Sequence, residues 1–278
     1  MTDLVTFGEA MLRLSPPAGQ RLSRMDSRGV HVGGAESNVA ATASNLGLET
    51  AWLSVLPGTE LGERIAHALR GEGVELAVTW TEAGRVGTYY FERGGSPREP
   101  TVVYDRAGTP MKSAEPDTID LERVRSADTF LTSGITPALS DQLAETTAEL
   151  VGVANDAGVR TAFDVNYRAK LWDSSEARAT LVDLFSEVDL LFVAQRDAAN
   201  VLGLDGDPAT VARKLVTRHE FETVVLTRGE DGALAVTDGE IHDQPAFPAE
   251  TVDPVGSGDA FVGGYLAERL AGGDVPEA

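Results

Sequence analysis

The densest chemistry in this sequence lies near its C-terminus, in Asp253-Pro254-Val255-Gly256-Ser257-Gly258-Asp259-Ala260-Phe261-Val262-Gly263-Gly264. Three small residues precede an aspartate and a helix-forming stretch follows it. Consecutive backbone N–H groups can therefore point into one concavity at a helix N-terminus, where an anion belongs. An aspartate at the rim of an anion hole is electrostatically odd unless it handles a proton. In phosphoryl transfer a carboxylate can accept the proton of the attacking hydroxyl, which would make Asp259 a base and give Gly256, Ser257 and Gly258 the task of holding the anion. The spacing alone also fits a glycine-rich turn with Asp259 as helix cap. Other catalytic patterns are missing. His31, His67, His219 and His242 show no paired metal-ligand spacing, and no Gly-x-Ser-x-Gly elbow, Walker lysine motif or Gly-x-Gly-x-x-Gly fingerprint occurs, which argues against hydrolase triads, P-loop enzymes and NAD enzymes.

The elements that must position this segment follow βαβ grammar. Leu4 to Phe7 reads as a strand, Glu36 to Leu46 as a helix, Thr50 to Leu56 as a strand and Leu61 to Gly71 as a helix. The pattern resumes with strands from Thr129, Arg160, Asp189 and Thr223, separated by helices from Asp141, Glu176 and Pro208, the last capped by Asp207. Strands separated by roughly ten to fifteen helical residues imply a mostly parallel, doubly wound sheet with helices on both faces. Between Leu76 and Tyr104 the pattern changes. Val78-Thr79-Trp80, Gly87 to Phe91 and Thr101 to Tyr104 are β-branched or aromatic runs with no room for helices, and they predict an antiparallel flap. Such a flap could act as a lid over the carboxyl ends of the parallel strands, where open α/β sheets bind ligands.

The chain has 278 residues, 42% of them hydrophobic, enough for a full core and against disorder. Its formal net charge of −21 makes nucleic acid and anionic membrane surfaces poor partners. Basic residues are almost all arginine, the lysines being Lys112, Lys170 and Lys214. Excess carboxylate with scarce lysine suits a protein kept hydrated in concentrated salt, where screening shortens to ~3 Å at 1 M, so a salt-adapted host is expected. No cysteine is present, which removes disulfides, thiolate metal sites and thiol nucleophiles. With no basic N-terminal region and no apolar stretch of ~18 residues, a cytoplasmic location is expected.

The C-terminal segment resembles the signature of ribokinase-like (PfkB) carbohydrate kinases, with Ser257 where alanine is usual. The N-terminal signature of that family is also present as Gly8-Glu9, then Gly33-Gly34-Ala35-Glu36-Ser37-Asn38-Val39-Ala40, then Leu46-Gly47. The likeness runs from about Leu4 to Leu270 and implies one ribokinase-like α/β domain over 1–278, its lid contributed mainly by about 76–106 and by part of 9–32. Within the family the sequence is most similar to the 2-keto-3-deoxygluconate kinases. Tyr104-Asp105-Arg106-Ala107-Gly108, Ser133-Gly134-Ile135-Thr136 and Asn166-Tyr167-Arg168-Ala169-Lys170-Leu171-Trp172 carry that likeness, together with Gly33 to Glu36. A sugar acid needs a cation for its carboxylate, and the bidentate fork of Arg106 or Arg168 suits it.

The resemblance implies ATP-dependent phosphorylation of 2-keto-3-deoxygluconate to 2-keto-3-deoxy-6-phosphogluconate, a step of Entner–Doudoroff type. A ketodeoxygalactonate kinase, a fructokinase and a non-catalytic sugar-acid or nucleotide binder are the alternatives. By resemblance, substrate contacts fall on Gly34, Tyr89, Tyr104, Arg106, Arg168 and Asp259. Contacts to ATP fall on Asn166, Arg168, Thr227, Arg228, Gly229, Glu230, Asp231, Gly232 and Gly256 through Asp259. Gly34 is read as giving a ligand access to the backbone. The implied cofactor is ATP with Mg²⁺, with a monovalent cation such as K⁺ as a further candidate, and pairing of two copies through the lid is expected. Two departures stand out. Where the family often has Asn-x-x-Glu, this chain is read as Gln195-Arg196-Asp197-Ala198, so metal ligands stay unassigned. Relatives also usually continue past the point corresponding to Ala278 with a helix near the adenine, so either the chain is a fragment or that pocket is open on one side.

Overall fold

A computed structural model describes residues 2–94, 98–249, 253–275 and 278 of the chain. The strands, in chain order, are Leu4–Phe7 (β1), Met11–Ser15 (β2), Gly29–Gly33 (β3), Thr50–Pro57 (β4), Glu75–Thr81 (β5), Thr88–Glu92 (β6), Thr101–Asp105 (β7), Thr129–Ser133 (β8), Arg160–Asp164 (β9), Leu190–Ala194 (β10), Thr223–Thr227 (β11), Ala233–Thr237 (β12) and Glu240–Gln244 (β13). The helices are Ala35–Asn45 (α1), Glu60–Gly71 (α2), Leu121–Arg125 (α3), Asp141–Asp156 (α4), Ser174–Leu184 (α5), Gln195–Asn200 (α6), Pro208–His219 (α7) and Ser257–Leu270 (α8).

Apolar runs without alternation set the centre: β1 and β4 are buried at every position, as strands covered on both faces must be. They lie in a nine-stranded sheet ordered β13-β12-β11-β10-β9-β8-β1-β4-β5. Neighbours from β11 through to β5 are parallel, and β12 and β13 turn back antiparallel at one edge. Val5, Leu53 and Phe163 point to one face, packed by α4, α5 and α7. Leu4, Trp52 and Phe192 point to the other, packed by α1, α2 and α8. Helix starts follow from their caps: Thr59, Ser140 and Asp207 side chains accept from Gly62, Leu143 and Thr210 amides at 3.3, 3.1 and 2.9 Å. This is the doubly wound sheet with helices on both faces that the sequence implies. Among the described residues no helix is long and apolar enough to cross a membrane.

A second, four-stranded sheet is ordered β3-β2-β6-β7 and differs from the expected flap in two respects. Val78-Thr79-Trp80 is not part of it. The run is the end of β5, which returns parallel to β4 after α2, pairing Val78 with Ser54 and Trp80 with Leu56. The sheet is completed by β2 and β3, from the 9–32 region that the resemblance assigned in part to the lid. Nor is the sheet wholly antiparallel, because β6 joins β2 in parallel, Tyr89 beside Arg13, while β2–β3 and β6–β7 are antiparallel.

Candidate active site

The carboxyl ends of β1, β8, β9 and β10 share one rim of the large sheet, and the N-termini of α1 and α8 arrive at the same rim. The two helices can approach because of Gly263: a Cβ there would lie 2.7 Å from the Thr42 Cβ and 2.9 Å from the Val39 carbonyl oxygen. That approach brings Asn38 to Asp259, whose Oδ2 accepts from the Asn38 amide at 2.7 Å. The loop before Asp259 turns through Gly256 at φ +86°, a left-handed value suited to glycine. Beside Gly258 the space is open, leaving room above amides that point from a helix start.

Asp259 is one of a group of acidic side chains. Burial pushes its carboxyl up, with the Asn38 hydrogen bond and the Arg168 charge pulling it back. Asp164, at the end of β9, is pushed up to about 7 by burial and then by the charge of Asp259, against the pull of Arg168 and of the Asn166 amide. That amide donates to Asp164 Oδ1 at 3.2 Å, and Asn166 sits at φ +36°. The turn continues through Tyr167, whose hydroxyl donates to the Trp172 carbonyl at 3.2 Å. Trp172 is buried in the core, so the Asn-x-Arg-x-x-Leu-Trp segment anchors its end and presents Arg168 to the carboxylates. Asp197, in the first turn of α6, is buried and raised by desolvation, opposed by Arg196, the Tyr167 amide and Arg168. Gln195 instead donates to the Gly206 carbonyl at 3.5 Å. Of the two, Asp197 is the side chain that shares the surroundings of Asp164 and Arg168. No group of three or more acidic or histidine side chains among the described residues is arranged as a metal cage.

The small sheet covers this rim. Tyr89 is buried, its hydroxyl lies where a Cβ on Gly33 would project, and its ring is 6.0 Å from that of Tyr104. Its phenol is pushed up to about 12 by burial, with Asp259 and Asp253 among the charges that add to this. Arg106 stacks over Tyr104 at 4.7 Å. It is not a free cation: its Nε lies 3.6 Å from Oε2 of the buried Glu9, and its own side chain is only 11% exposed. Burial raises the Glu9 carboxyl, and Arg106 is the first influence that lowers it. Arg168, in contrast, has no hydrogen bond or ion pair through its guanidinium among the described residues. Gly34 is extended at φ −171°, and the space a side chain would need is filled by the Glu9 carbonyl. The chain's own packing thus gives this glycine a reason of its own, beside the ligand access read from sequence.

Thr227 to Gly232 joins β11 to β12 on the same rim, two strands from Asp164. Arg228 there is engaged by Asp243 and the Ala233 carbonyl, and Glu230 and Asp231 are exposed.

Glu36 is a residue the motif contained but spacing could not interpret. It is fully enclosed, and its Oε1 accepts from Ser133 Oγ at 2.6 Å and Thr136 Oγ1 at 2.8 Å, tying α1 to the end of β8. Burial pushes its carboxyl up to about 7 from 4.5, an elevation equivalent to about 3 kcal/mol. Between those values the folded chain keeps a proton that the unfolded chain has lost, so stability declines as pH rises from 4.5 through 7. Thermal melts at pH 5 and pH 8 should differ less in Glu36→Gln than in the wild type; an equal difference would contradict the assignment.

Comparisons with known proteins match this picture. A family model described as pfkB family carbohydrate kinase matches residues 1–278. A 2-dehydro-3-deoxygalactonokinase of Haloferax volcanii is 51% identical over 99% of this chain and 87% of its own length. A 2-dehydro-3-deoxygluconokinase of Thermoproteus tenax is 30% identical over 99% of this chain and 84% of its own. The crystal structure of a 2-dehydro-3-deoxygluconokinase from Thermotoga maritima superimposes with a TM-score of 0.93 at 35% identity, covering 100% of this chain and 90% of that one.

Proposed function

The chain belongs to the pfkB family of carbohydrate kinases, and from that premise we propose that it transfers the γ-phosphoryl group of ATP to the terminal hydroxyl of a 2-keto-3-deoxy sugar acid, the galactonate epimer ahead of the gluconate. The observation that carries the transfer is the placement of Asp259: half-buried, oriented by Asn38, and set beside an open amide-lined loop. The preference for the galactonate epimer, the runner-up on sequence grounds, rests on the relative that is 51% identical. The gluconate reading keeps the support of the relatives at 30% and 35% identity.

In this reading Asp259 takes the proton of the attacking hydroxyl, and the amides of Gly256 to Asp259 meet charge on the transferring phosphoryl group. Arg168 offsets acidic repulsion and meets an anionic group of either ligand. Arg106, stacked on Tyr104, offers its outer edge to the sugar acid. Tyr89 and the small sheet exclude water, and Asn166 with Thr227 to Gly232 borders the nucleotide. Mg²⁺ carried on phosphates needs only one or two protein carboxylates. Asp164 and Asp197 have suitable hard oxygens, and the ion would neutralise triphosphate charge there.

Two outcomes follow. A coupled ADP-release assay at high KCl should give its highest kcat/KM with ketodeoxygalactonate, then ketodeoxygluconate, with fructose and ribose far lower; no release with any of them would favour the non-catalytic binder. Because Asp259 works as a base and its carboxyl is raised, kcat/KM should fall as pH drops through a limb above the ordinary carboxylate range. A limb at ordinary aspartate values would contradict that environment.

A further inference from the structure

The small sheet also grips the loop on which phosphates would settle. Arg13 in β2 and Arg93 just beyond β6 both donate to one oxygen, Asp253 Oδ2, at 3.1 and 2.9 Å. The other oxygen, Oδ1, accepts from the Val255 amide at 3.1 Å and so shapes the turn leading into Gly256. Arg13 and Asp253 are mostly enclosed, their side chains 12% and 21% exposed. Arg13 lies 5.7 Å from the Phe91 ring and is the register partner of Tyr89 across β2 and β6. One sheet face therefore carries both the tyrosine that covers the sugar side and the arginine that holds the loop. On the opposite margin, Lys170 beside the Arg168 turn donates to the Val102 carbonyl of β7.

Charge gives these contacts a direction. With the sheet in place, two guanidiniums and one carboxylate leave a net charge of +1 at the entrance to the loop; with the sheet displaced, Asp253 alone leaves −1. In a chain of charge −21, an anionic nucleotide is favoured by the first arrangement and opposed by the second. Whatever holds the sheet in place thus strengthens nucleotide binding, and by reciprocity the nucleotide strengthens the binding of whatever holds the sheet.

We propose that Arg13 and Arg93 are positioning residues that make the phosphate-holding loop depend on the sugar-covering sheet, so that sugar acid and nucleotide bind with positive coupling through Asp253. This rests on the phosphotransfer reading above. Binding of Mg²⁺ with a non-hydrolysable ATP analogue is measured by calorimetry with and without saturating ketodeoxygalactonate. In the wild type the sugar acid should tighten analogue binding by about tenfold. In Arg13→Gln/Arg93→Gln the tightening should fall below about twofold, within the uncoupled limit, while melting temperature and affinity for the sugar acid alone stay unchanged. Asp253→Asn, which can keep the Oδ1 bond to Val255 but removes the carboxylate that holds both guanidiniums at the loop, should show the same loss. Arg85→Gln removes an exposed pair of the same sheet, Arg85 with Asp105 at 2.6 and 2.8 Å, and should retain full coupling. Coupling that survives in the double variant or in Asp253→Asn, or that is missing from the wild type or lost equally in Arg85→Gln, overturns the proposal. A wild type that binds neither ligand overturns the phosphotransfer reading as well.

Discussion

Asp259→Asn is expected to lower kcat by about 10²–10⁴-fold, the usual worth of a positioned general base, while the dissociation constant for the sugar acid changes little. The substitution keeps the side chain's shape, and its amide oxygen can still accept from Asn38, so the loop geometry survives. What disappears is a group able to take a proton. Two consequences accompany the loss if Asp259 is the base. The acidic limb of the residual rate should vanish or move, because the titrating group is gone. Burial of a charge at this position ends, so the variant should melt no lower than the wild type. Normal turnover in Asp259→Asn, measured with sugar acid and ATP both saturating, would remove the base assignment.

Arg168→Met is the second large effect. Its guanidinium is the cation that moderates Asp164, Asp197 and Asp259 together, and both proposed ligands are anions. Removing it leaves acidic groups facing phosphate and carboxylate, with an expected loss in kcat/KM of about 100-fold, or about 3 kcal/mol. Because Arg168 pulls the Asp259 carboxyl down, its removal should also shift the acidic limb to higher pH, which simple loss of packing would not do. Arg106→Ala should cost less against sugar acids than Arg168→Met, because Glu9 already balances Arg106. The reverse ranking, or an Arg168→Met variant within about threefold of the wild type by kcat/KM, would contradict this distribution of charge.

The structure changes how the positive region in this acidic chain is understood. From sequence, Arg106 and Arg168 look equivalent. Glu9, which distinguishes them, lies far from Arg106 in the chain, and no local pattern signals that contact. The same holds for Arg13 and Asp253, which are 240 positions apart. What was legible were features written locally: uninterrupted apolar runs for strands buried on both faces, Asp207-Pro208 for a helix start, and the Gly256 to Asp259 loop. The β-rich run Val78-Thr79-Trp80 shows a limit of periodicity, which identifies a strand without saying which sheet takes it. The family likeness alone assigned part of 9–32 to the lid; local pattern could not show how it joins, since β6, the strand that β2 pairs with in parallel, follows only after β4, α2 and β5 have been laid down in the large sheet. Glu36 and Asn38 lay inside a legible motif, yet only the packing of α1 against β8 and α8 gives them their partners.

The central claim is phosphoryl transfer from ATP to the terminal carbon of a 2-keto-3-deoxy sugar acid. Phosphorus NMR of the wild-type reaction, with ATP, Mg²⁺ and ketodeoxygalactonate, tests it most directly. The account predicts a phosphomonoester resonance split by two neighbouring protons, as for phosphate on a CH₂–O group, growing in step with ADP. Accumulation of inorganic phosphate alone, or a phosphomonoester split by a single proton, would contradict it.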